Sequence, residues 1–418
     1  MLSTLAFGLI LFGLGMTNNG LLVLALPVVV FVLSGLLFGS PSPRLTAERS
    51  LSARRVGVGL PVTVKITLTN QGDTLEQVWS NDRLPPDLER ISGYTSCLVS
   101  LEPGESTSFE YIVRAKRGVY FIPPLRAITS DYLGIVVNSV SLGTSSSIAV
   151  LPDIQRIPTI PIRPQHTLGF PGTIPARLGG PGLTFFGVRE YQMGDSMHQV
   201  NWHASARHPH TLYSNDFEQE RVADIGLILD CRGESYLAAA QQSMFEYAVI
   251  AAASLAQSFL ADGNRVGLVQ YGQYITWTFP GYGKIQRERI LAALAHASPG
   301  VSLIDHLEYL PVRFFPPHSQ IILVSPIQKK DLEVLFNFRS RGYALMVVSP
   351  NPIYFELSTL PDRAPERLAG RIAQMERIVL IRHLQQAGIR VLDWDIAVPF
   401  EQAVLTLTRG TRRFDMRS

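Results

Sequence analysis

The first 43 residues contain no Asp, Glu, Lys, Arg or His, although the whole chain has 37 basic and 34 acidic residues. The charged residues therefore belong to the remaining chain, and the front is an apolar appendage on an otherwise globular protein. At 418 residues the chain is too long for one hydrophobic core. Two or three folded units are expected.

The sequence lacks the features of several functional classes. No Lys/Arg run accompanies the net charge of +3, which argues against a nucleic-acid partner. Cys97 and Cys231 fall in different predicted domains, so no disulfide framework is indicated. The chain has no Gly-x4-Gly-Lys-Ser/Thr loop for ATP and no Gly-x-Ser-x-Gly elbow. We predict a protein that is not an enzyme; a hydrolase dependent on Cys231 or Ser205 is the least supported alternative.

Residues 1–40 are predicted to form a transmembrane hairpin with spans at about 2–16 and 20–38, joined at Thr17–Gly20. One continuous helix would be roughly 55 Å long, against a hydrocarbon core of roughly 30 Å. A re-entrant first arm is an alternative, whereas a cleaved signal peptide lacks its basic start. Arg44, Arg49, Arg54 and Arg55 follow the second span, which predicts a cell-membrane protein with a cytoplasmic body.

Residues 44–151 are predicted to form an antiparallel β-sandwich. Val62–Thr69 alternates apolar and polar residues, and Ser108–Val113 and Ser147–Val150 show similar patterns. Paired prolines and Pro-Gly steps interrupt the segment, and no long helical period occurs in it.

Residues 152–182 are rich in Pro and Gly and are predicted to be an irregular linker. Residues 221–418 alternate apolar strand-length runs with helical patterns, which predicts a doubly wound α/β domain. The expected strands are Asp224–Asp230, Arg265–Tyr271, Gln320–Val324, Ala344–Ser349 and Arg390–Asp393, and the main helices are Phe245–Leu260 and Pro365–Ala387. In the last helix Leu368, Ile372, Met375 and Val379 form one apolar stripe.

Residues 183–220 contain an ordered set of less common residues between the two predicted domains. They include Arg189-Glu190-Tyr191, Gly194-Asp195, Trp202 and Ser205-Ala206-Arg207, followed by Glu218 and Glu220. This pattern resembles domain-of-unknown-function family 58. Arg117-Gly118-Val119-Tyr120, with Pro124, Asp131 and Gly134, resembles the β-rich part of the same proteins. His203 departs from the family, in which Lys is common at this position.

The resemblance implies a C-terminal domain like von Willebrand factor type A and a partner ATPase of the MoxR type, an AAA+ protein. Family members are associated with systems proposed to assemble other proteins or insert cofactors into them. We therefore predict a membrane-anchored scaffold or adaptor with an unknown client protein. The alternative is a metal-dependent ligand-binding module of the von Willebrand type.

The signature residues have two interpretations. In the first, Tyr191 and Trp202 anchor the segment, and Arg189, Glu190, Asp195 and Arg207 form a buried polar network. In the second, the segment is a partner-binding surface, because aromatic and Arg side chains dominate interface hot spots. The complete set of candidates is Arg189, Glu190, Tyr191, Gly194, Asp195, Trp202, Ser205 and Arg207.

Asp230 is a weak candidate metal ligand. A metal-binding von Willebrand domain has Asp-x-Ser-x-Ser after its first strand, whereas this chain has Asp230-Cys231-Arg232-Gly233-Glu234, and only Ser302 could replace a later Thr. Arg232 places a cation where Mg²⁺ needs a neutral oxygen. We predict a degenerate loop and no cofactor. His198, His203, His208 and His210 are a second candidate cluster, but their spacing does not favour zinc.

Overall fold

The computed structural model describes the chain except residues 1, 17–18, 39–42, 132–136, 144, 161, 163–173, 209, 237–243, 302–314, 317–318, 362 and 407–418. Gly134, Ser302 and residues 161 and 163–173 of the predicted linker lie outside the described residues. The chain divides into two compact units, Met1–Leu151 and Pro152–Ser418.

Two helices occupy the apolar segments at the start of the first unit, α1 (Leu2–Gly15) and α2 (Asn19–Phe38). Pro27 lies inside α2. Among the described residues, the length and composition of a membrane-crossing helix are met by Met244–Ala261, of which 67% is buried inside the second unit. The predicted transmembrane hairpin is thus not confirmed by this criterion.

The rest of the first unit is made of β-strands. They are β1 (Leu45–Leu51), β2 (Arg55–Gly57), β3 (Val62–Asn70), β4 (Leu75–Asn81), β5 (Leu88–Gly93), β6 (Ser96–Leu101), β7 (Ser106–Ala115), β8 (Gly118–Ile122), β9 (Leu125–Ser130), β10 (Val137–Leu142) and β11 (Ser146–Leu151). They form sheets of order β1-β3-β7-β5, β10-β9-β4-β6 and β2-β11-β8. Among the described strands of this unit, pairing is antiparallel except between β2 and β11, which are parallel and so depart from the predicted antiparallel pattern.

One hydrophobic core lies among these strands. Alternate residues of β3 point into it, since Val64, Ile66 and Leu68 are buried while Lys65 is exposed. They pack in one cluster with residues of other strands, including Val78 and Ile122. The alternation in the sequence therefore marks the buried face of this strand, as the two-residue period of a β-strand requires.

A charged group lies inside that core. Asp82 is buried; Tyr111 Oη donates to Asp82 Oδ2 at 2.6 Å, and Arg49 Nε donates to the same oxygen at 3.2 Å. Arg49 Nη2 also donates to the Pro123 carbonyl at 2.8 Å. Burial raises the pKa of Asp82, while the bonds from Tyr111 and Arg49 act in the opposite direction. The three side chains join β1 and β7 to the residue that follows β4.

The second unit begins with a long strand, β12 (Ile174–Glu190), that pairs antiparallel with β13 (Tyr213–Arg221). Residues 174–182 were expected to belong to an irregular linker, and this expectation is wrong. The pairing register shifts between Pro175 and Gly179 and again between Gly180 and Phe185. Such irregularities accommodate Pro and Gly, which a regular ladder disfavours.

The remainder of the unit is a six-stranded mixed sheet with helices between its strands. The strands are β14 (Asp224–Asp230), β15 (Arg265–Tyr271), β16 (Ile275–Gly281), β17 (Gln320–Val324), β18 (Ala344–Pro350) and β19 (Arg390–Trp394), in the order β16-β15-β14-β17-β18-β19. The helices between these strands are α4 (Met244–Ala261), α5 (Gly283–His296), α6 (Asp331–Ser340), α7 (Pro352–Thr359) and α8 (Ala364–Gln386), while the short α3 (Trp202–Ser205) lies between β12 and β13. Only β16 is antiparallel to its neighbour among the described strands of this sheet.

The buried strands explain the apolar runs in the sequence. All seven residues of β14 and of β18 are buried, as expected for a sheet covered on both faces. The class is therefore mixed α/β with several sheets. Gly388 follows α8 with a φ of 75°, the left-handed conformation expected of a helix C-cap glycine.

Candidate functional site

The signature residues form the connection between β12 and β13. Arg189 donates two parallel bonds to Asp195, Nη1 to Oδ2 and Nη2 to Oδ1, each of 2.8 Å. Asp195 Oδ2 also accepts the Gln192 amide at 2.9 Å, and Tyr191 Oη donates to the Asp195 carbonyl at 3.1 Å. Gly194 has a φ of 113°, which the turn requires and other residues rarely adopt. These bonds close a compact loop.

A second set of bonds holds the segment that follows. Asn201 caps α3, because its side chain accepts the Ala204 amide at 2.9 Å, and it donates to Asn215 Oδ1 at 2.7 Å. Ser205 Oγ donates to the Asn201 carbonyl at 2.8 Å and accepts the Tyr213 amide at 2.8 Å. The Ser205 hydroxyl thus both donates and accepts a hydrogen bond with backbone groups. This is typical of a structural residue rather than a nucleophile.

The tip of this connection is apolar and exposed. Trp202 is 64% exposed, Met197 is 62% exposed, and Met193 is fully exposed. Glu190 and Arg207 are also exposed, and the Arg189 side chain retains 37% of its accessible area. The first interpretation, a buried network anchored by Trp202, therefore disagrees with the structure. We define Met193, Met197 and Trp202 as the signature tip.

The Arg189–Asp195 pair gives the tip a pH dependence. The bonds from Arg189, and next the Gln192 amide, hold the pKa of Asp195 below its ordinary value. A carboxyl with a lowered folded-state pKa stabilises the fold fully above its unfolded value of about 3.9, and this contribution is lost as the pH falls through the lowered value. We expect hydrogen exchange at residues 189–200, corrected for its intrinsic rate, to accelerate below about pH 4. Asp195→Asn should exchange fast at every pH, and an unchanged profile in that variant would contradict the assignment.

A different set of polar groups lies where the parallel strands end. β14 has β15 on one side and β17 on the other, so the chain changes direction between β14 and β17. Ligands of open α/β sheets bind outside the carboxyl ends of the strands at such a switch point. Asp230 ends β14 and Ser325 follows β17, and Ser325 Oγ donates to Asp230 Oδ2 at 2.7 Å. The predicted Asp230 thus lies at the position where a ligand is expected.

Arg232 fills this position. Its guanidinium donates to Asp230 at 3.0 and 2.8 Å, and to Asp331 of α6 at 3.0 and 3.2 Å. The side chains of Arg232 and Asp230 are wholly buried, and that of Asp331 is 1% exposed. Burial opposes the charged form of Arg232, but the bonds and charges of Asp230 and Asp331 outweigh it and raise its pKa. The structure therefore contains a buried cation between two carboxylates.

The residues present do not fit the Mg²⁺ that a von Willebrand domain implies. Both Asp230 oxygens are engaged by the guanidinium, and Oδ2 also accepts from Ser325. A divalent cation bound there would be repelled by the positive charge of Arg232, which occupies the same buried space. No cluster of three metal-ligating His, Cys, Asp or Glu side chains occurs in the parts of the chain that are described.

A second buried arginine at the same edge was missed by the sequence analysis. Arg377 of α8 donates to Asp393 Oδ1 at 2.8 Å and to Ser349 Oγ at 2.7 Å. It also donates to the carbonyl of Pro326, next to Ser325, at 3.2 Å. Arg232 and Arg377 together satisfy polar groups at the ends of β14, β17, β18 and β19. The sequence does contain a signal for Arg377. This charged residue lies on the same face of α8 as the apolar Leu380 and Leu384.

The remaining candidates are spread apart. His198, His203, His208 and His210 are exposed, and His208 lies with its ring centroid 5.2 Å from that of Tyr213. Cys231 is buried beside Asp230, and its Sγ contacts the Leu229 carbonyl at 3.8 Å. Among the described residues, these groups do not assemble with Ser205 into a nucleophile and base.

Comparison with known proteins agrees with the signature. The family described as "Protein of unknown function DUF58" matches residues 187–348, from β12 to β18. The resemblance to family 58 is confirmed. The family 58 segment thus includes both the signature tip and the Arg232 cluster.

One curated relative and two solved structures give limited further information. "Uncharacterized protein YeaD" of Bacillus subtilis is 25% identical over 280 residues, covering 65% of this chain and 67% of the relative. A CARDB domain from Pyrococcus furiosus is 18% identical with a TM-score of 0.19, covering 26% of this chain and 94% of that one. Escherichia coli alpha-2-macroglobulin is 22% identical with a TM-score of 0.24, covering 27% and 17%. These scores are too low to carry an argument about the fold.

Proposed function

We propose that this chain is a membrane-anchored, non-enzymatic scaffold that docks a partner protein through the signature tip. An AAA+ ATPase of the MoxR type is the proposed partner, since the family resemblance implies one and the chain has no ATP loop of its own. The scaffold presents this ATPase to a client protein at the cytoplasmic face of the cell membrane. The second unit is proposed to be a von Willebrand factor type A-like domain.

The observation that carries the proposal is the exposure of large apolar side chains on a rigid loop. Met193, Met197 and Trp202 cost free energy when they face water, and all three are exposed within residues 193–202. A group of large exposed apolar side chains, unlike a single one, marks an interaction site. The paired bonds of Arg189 and Asp195 fix the loop before binding. A preformed loop loses little conformational entropy on association, which favours a binding role.

The membrane anchor is supported by the side chains of α1 and α2. Phe7, Phe12 and Val23 are each more than 60% exposed, and α1 and α2 contain no charged residue. Such surfaces are stable in lipid and unfavourable in water. The arginines after α2 favour a cytoplasmic position for the rest of the chain.

A metal-dependent ligand-binding module is the second candidate, and the geometry does not favour it. In that candidate Asp230 would bind a divalent cation, but its carboxylate is already bonded to Arg232. The scaffold role needs no cation at this edge, so it agrees better with the buried arginine.

The test is co-purification of the full chain from its native membranes in detergent, with and without nucleotide. We expect the AAA+ ATPase to be recovered with the unchanged chain and to be reduced at least about tenfold by Trp202→Ala, since a hot-spot aromatic contributes about 2 kcal/mol or more. Because Trp202 is exposed, the melting temperature should stay unchanged.

Trp277→Ala is the matched control. Trp277 lies on β16 of the same unit and is 48% exposed, so its removal deletes the same side chain outside the signature tip. It should leave recovery of the ATPase unaltered. Equal loss of ATPase recovery with both variants would contradict specific binding by the signature tip. Recovery of no ATPase with the unchanged chain would reject the proposed partner.

A further inference from the structure

Helix α8 exposes the apolar stripe that the sequence shows. Leu368, Ile372, Met375 and Val379 are 57, 53, 63 and 50% exposed. The helix instead packs through its opposite side, where Gly370, Arg377, Leu380 and Leu384 are buried. Four large apolar side chains in one row on a folded unit mark an interaction surface.

Helix α7 packs on the buried side of α8, where Leu357 lies against Gly370. Tyr354, Leu357 and Leu360 are also partly exposed, and a groove of about 420 Å³ runs between α7 and α8. Within the described part of the chain, Glu366 Oε2 and Gln374 Oε1 line the groove as buried atoms with no hydrogen-bond partner. Both residues, like Gly370, lie on the side of α8 away from the stripe, so the groove is separate from the stripe.

The spacing of the stripe is that of a coiled coil. Its successive steps are of four, three and four residues, the alternation of a heptad seam. In this register Ile372 and Val379 occupy a positions, and Leu368 and Met375 occupy d positions. β-Branched residues at a with Leu at d favour two parallel strands, and Met375 is likewise unbranched at Cβ.

The charges beside the seam agree with a parallel pair of identical helices. Arg371 occupies the g position, and Glu376, five residues later, occupies the following e position. In a parallel pair the g residue of one helix lies against the next e residue of the other, so Arg371 meets Glu376 of the second copy twice by symmetry. In an antiparallel pair g lies against g and e against e, and these opposite charges would be separated.

We infer that the stripe of α8 is the dimerisation surface of this chain, which binds a second copy in parallel. The seam is only about two heptads long, so association is expected to be weak. This inference does not depend on the proposed ATPase, since the signature tip lies in a different segment of the unit.

The first test is disulfide trapping of the full chain in detergent. Met375→Cys in a Cys97→Ser background should form a covalent dimer under mild oxidation, because equal d positions approach each other in a parallel pair. Glu333→Cys, exposed on α6, is the matched control and should stay monomeric. Equal trapping of both variants, or of neither, would overturn the inference.

The second test changes the charges without removing apolar surface. Glu376→Arg places like charges against Arg371 at both pairs and should raise the dissociation constant by about tenfold. Arg371→Glu should do the same, and the double variant Arg371→Glu/Glu376→Arg should restore the unchanged value. Because Arg371 and Glu376 are both exposed surface charges, the three variants should fold normally.

Association is measured by sedimentation equilibrium of the full chain with circular dichroism as the folding control. Additive loss of association in the double variant would contradict the parallel register. A monomer at every concentration tested would contradict the dimer itself, even if the surface then bound a different protein. Loss of dimerisation with retained ATPase recovery would leave the proposed function standing.

Discussion

Arg232→Ala is expected to lower the free energy of unfolding of the second unit by about 3–5 kcal/mol, because it leaves two buried carboxylates without their cation. Asp230 and Asp331 approach the same guanidinium, and neither side chain has access to water that could replace it. The loss should appear in urea unfolding followed by tryptophan fluorescence. Trp202, Trp277 and Trp394 of the four tryptophans lie in this unit.

Lys330→Ala is the control for this prediction. Lys330 also pairs with an acid, Glu234, but both side chains are partly exposed, at 35 and 45%. An exposed pair of this kind contributes between about 0 and 1 kcal/mol. A loss in Arg232→Ala no larger than that in Lys330→Ala would show that the buried cluster does not stabilise the unit.

The cluster of Arg232, Asp230 and Asp331 also allows a test that distinguishes the scaffold from the metal-dependent module. If Arg232 occupies the cation position, Mg²⁺ at millimolar concentration should not raise the melting temperature of the unchanged chain. A specific ion that binds only the folded state raises it by mass action. In a second variant, Arg232→Ala with Asp331→Asn, one buried charge is removed, and part of the stability should return. An Mg²⁺-dependent increase in the unchanged chain would favour the metal-dependent module.

The sequence predicted the strands of the α/β sheet well. A strand buried on both faces must be apolar at nearly every position, so Asp224–Asp230 and Gln320–Val324 were identified to the residue. The helices over Met244–Ala261 and Ala364–Gln386 were also found within one residue at each end. A local sequence pattern is sufficient to predict a strand or helix when burial alone determines which residue types it contains.

The linker and the stripe of α8 show where local pattern fails. Pro and Gly are typical of loops, but in β12 the irregular pairing with β13 accommodates them, and a pairing partner about forty residues away cannot be deduced from composition. The period of α8 identified which residues share a face. It gave no information on what covers that face, since a core and a partner favour the same side chains.

The candidate site was only partly predictable for a similar reason. Arg189 and Asp195 are six residues apart, and their pairing could be proposed from the signature alone. Asp331 and Arg232 are 99 residues apart, and they meet only because β14 and β17 are neighbours in the sheet. The charge of Arg232 already argued against metal binding, and the structure adds the second carboxylate, Asp331, that makes Arg232 a buried counter-ion.

Arg49→Met is expected to destabilise the first unit by about 3–5 kcal/mol at neutral pH, because Asp82 then remains buried without its cation. The pKa of Asp82, already raised by burial, should rise further once Arg49 no longer lowers it. A carboxyl whose folded-state pKa exceeds its unfolded value of about 3.9 loses stability as the pH rises between the two values. The variant should therefore be least destabilised near pH 4 and most destabilised above the raised pKa.

Hydrogen exchange of the β3 and β7 amides measures this unit separately, since these strands form its core sheet. Arg114→Ala is the matched control: it breaks an ion pair with Glu89 in which the side chains are 48 and 66% exposed, and should cost no more than about 1 kcal/mol. Adding Asp82→Asn to Arg49→Met removes the buried charge, so it should abolish the pH dependence and recover part of the stability. A pH dependence that persists in the double variant would assign the titration to another group, and would mean that Arg49 acts through its bonds to Pro123 and Ile122 rather than through the charge of Asp82.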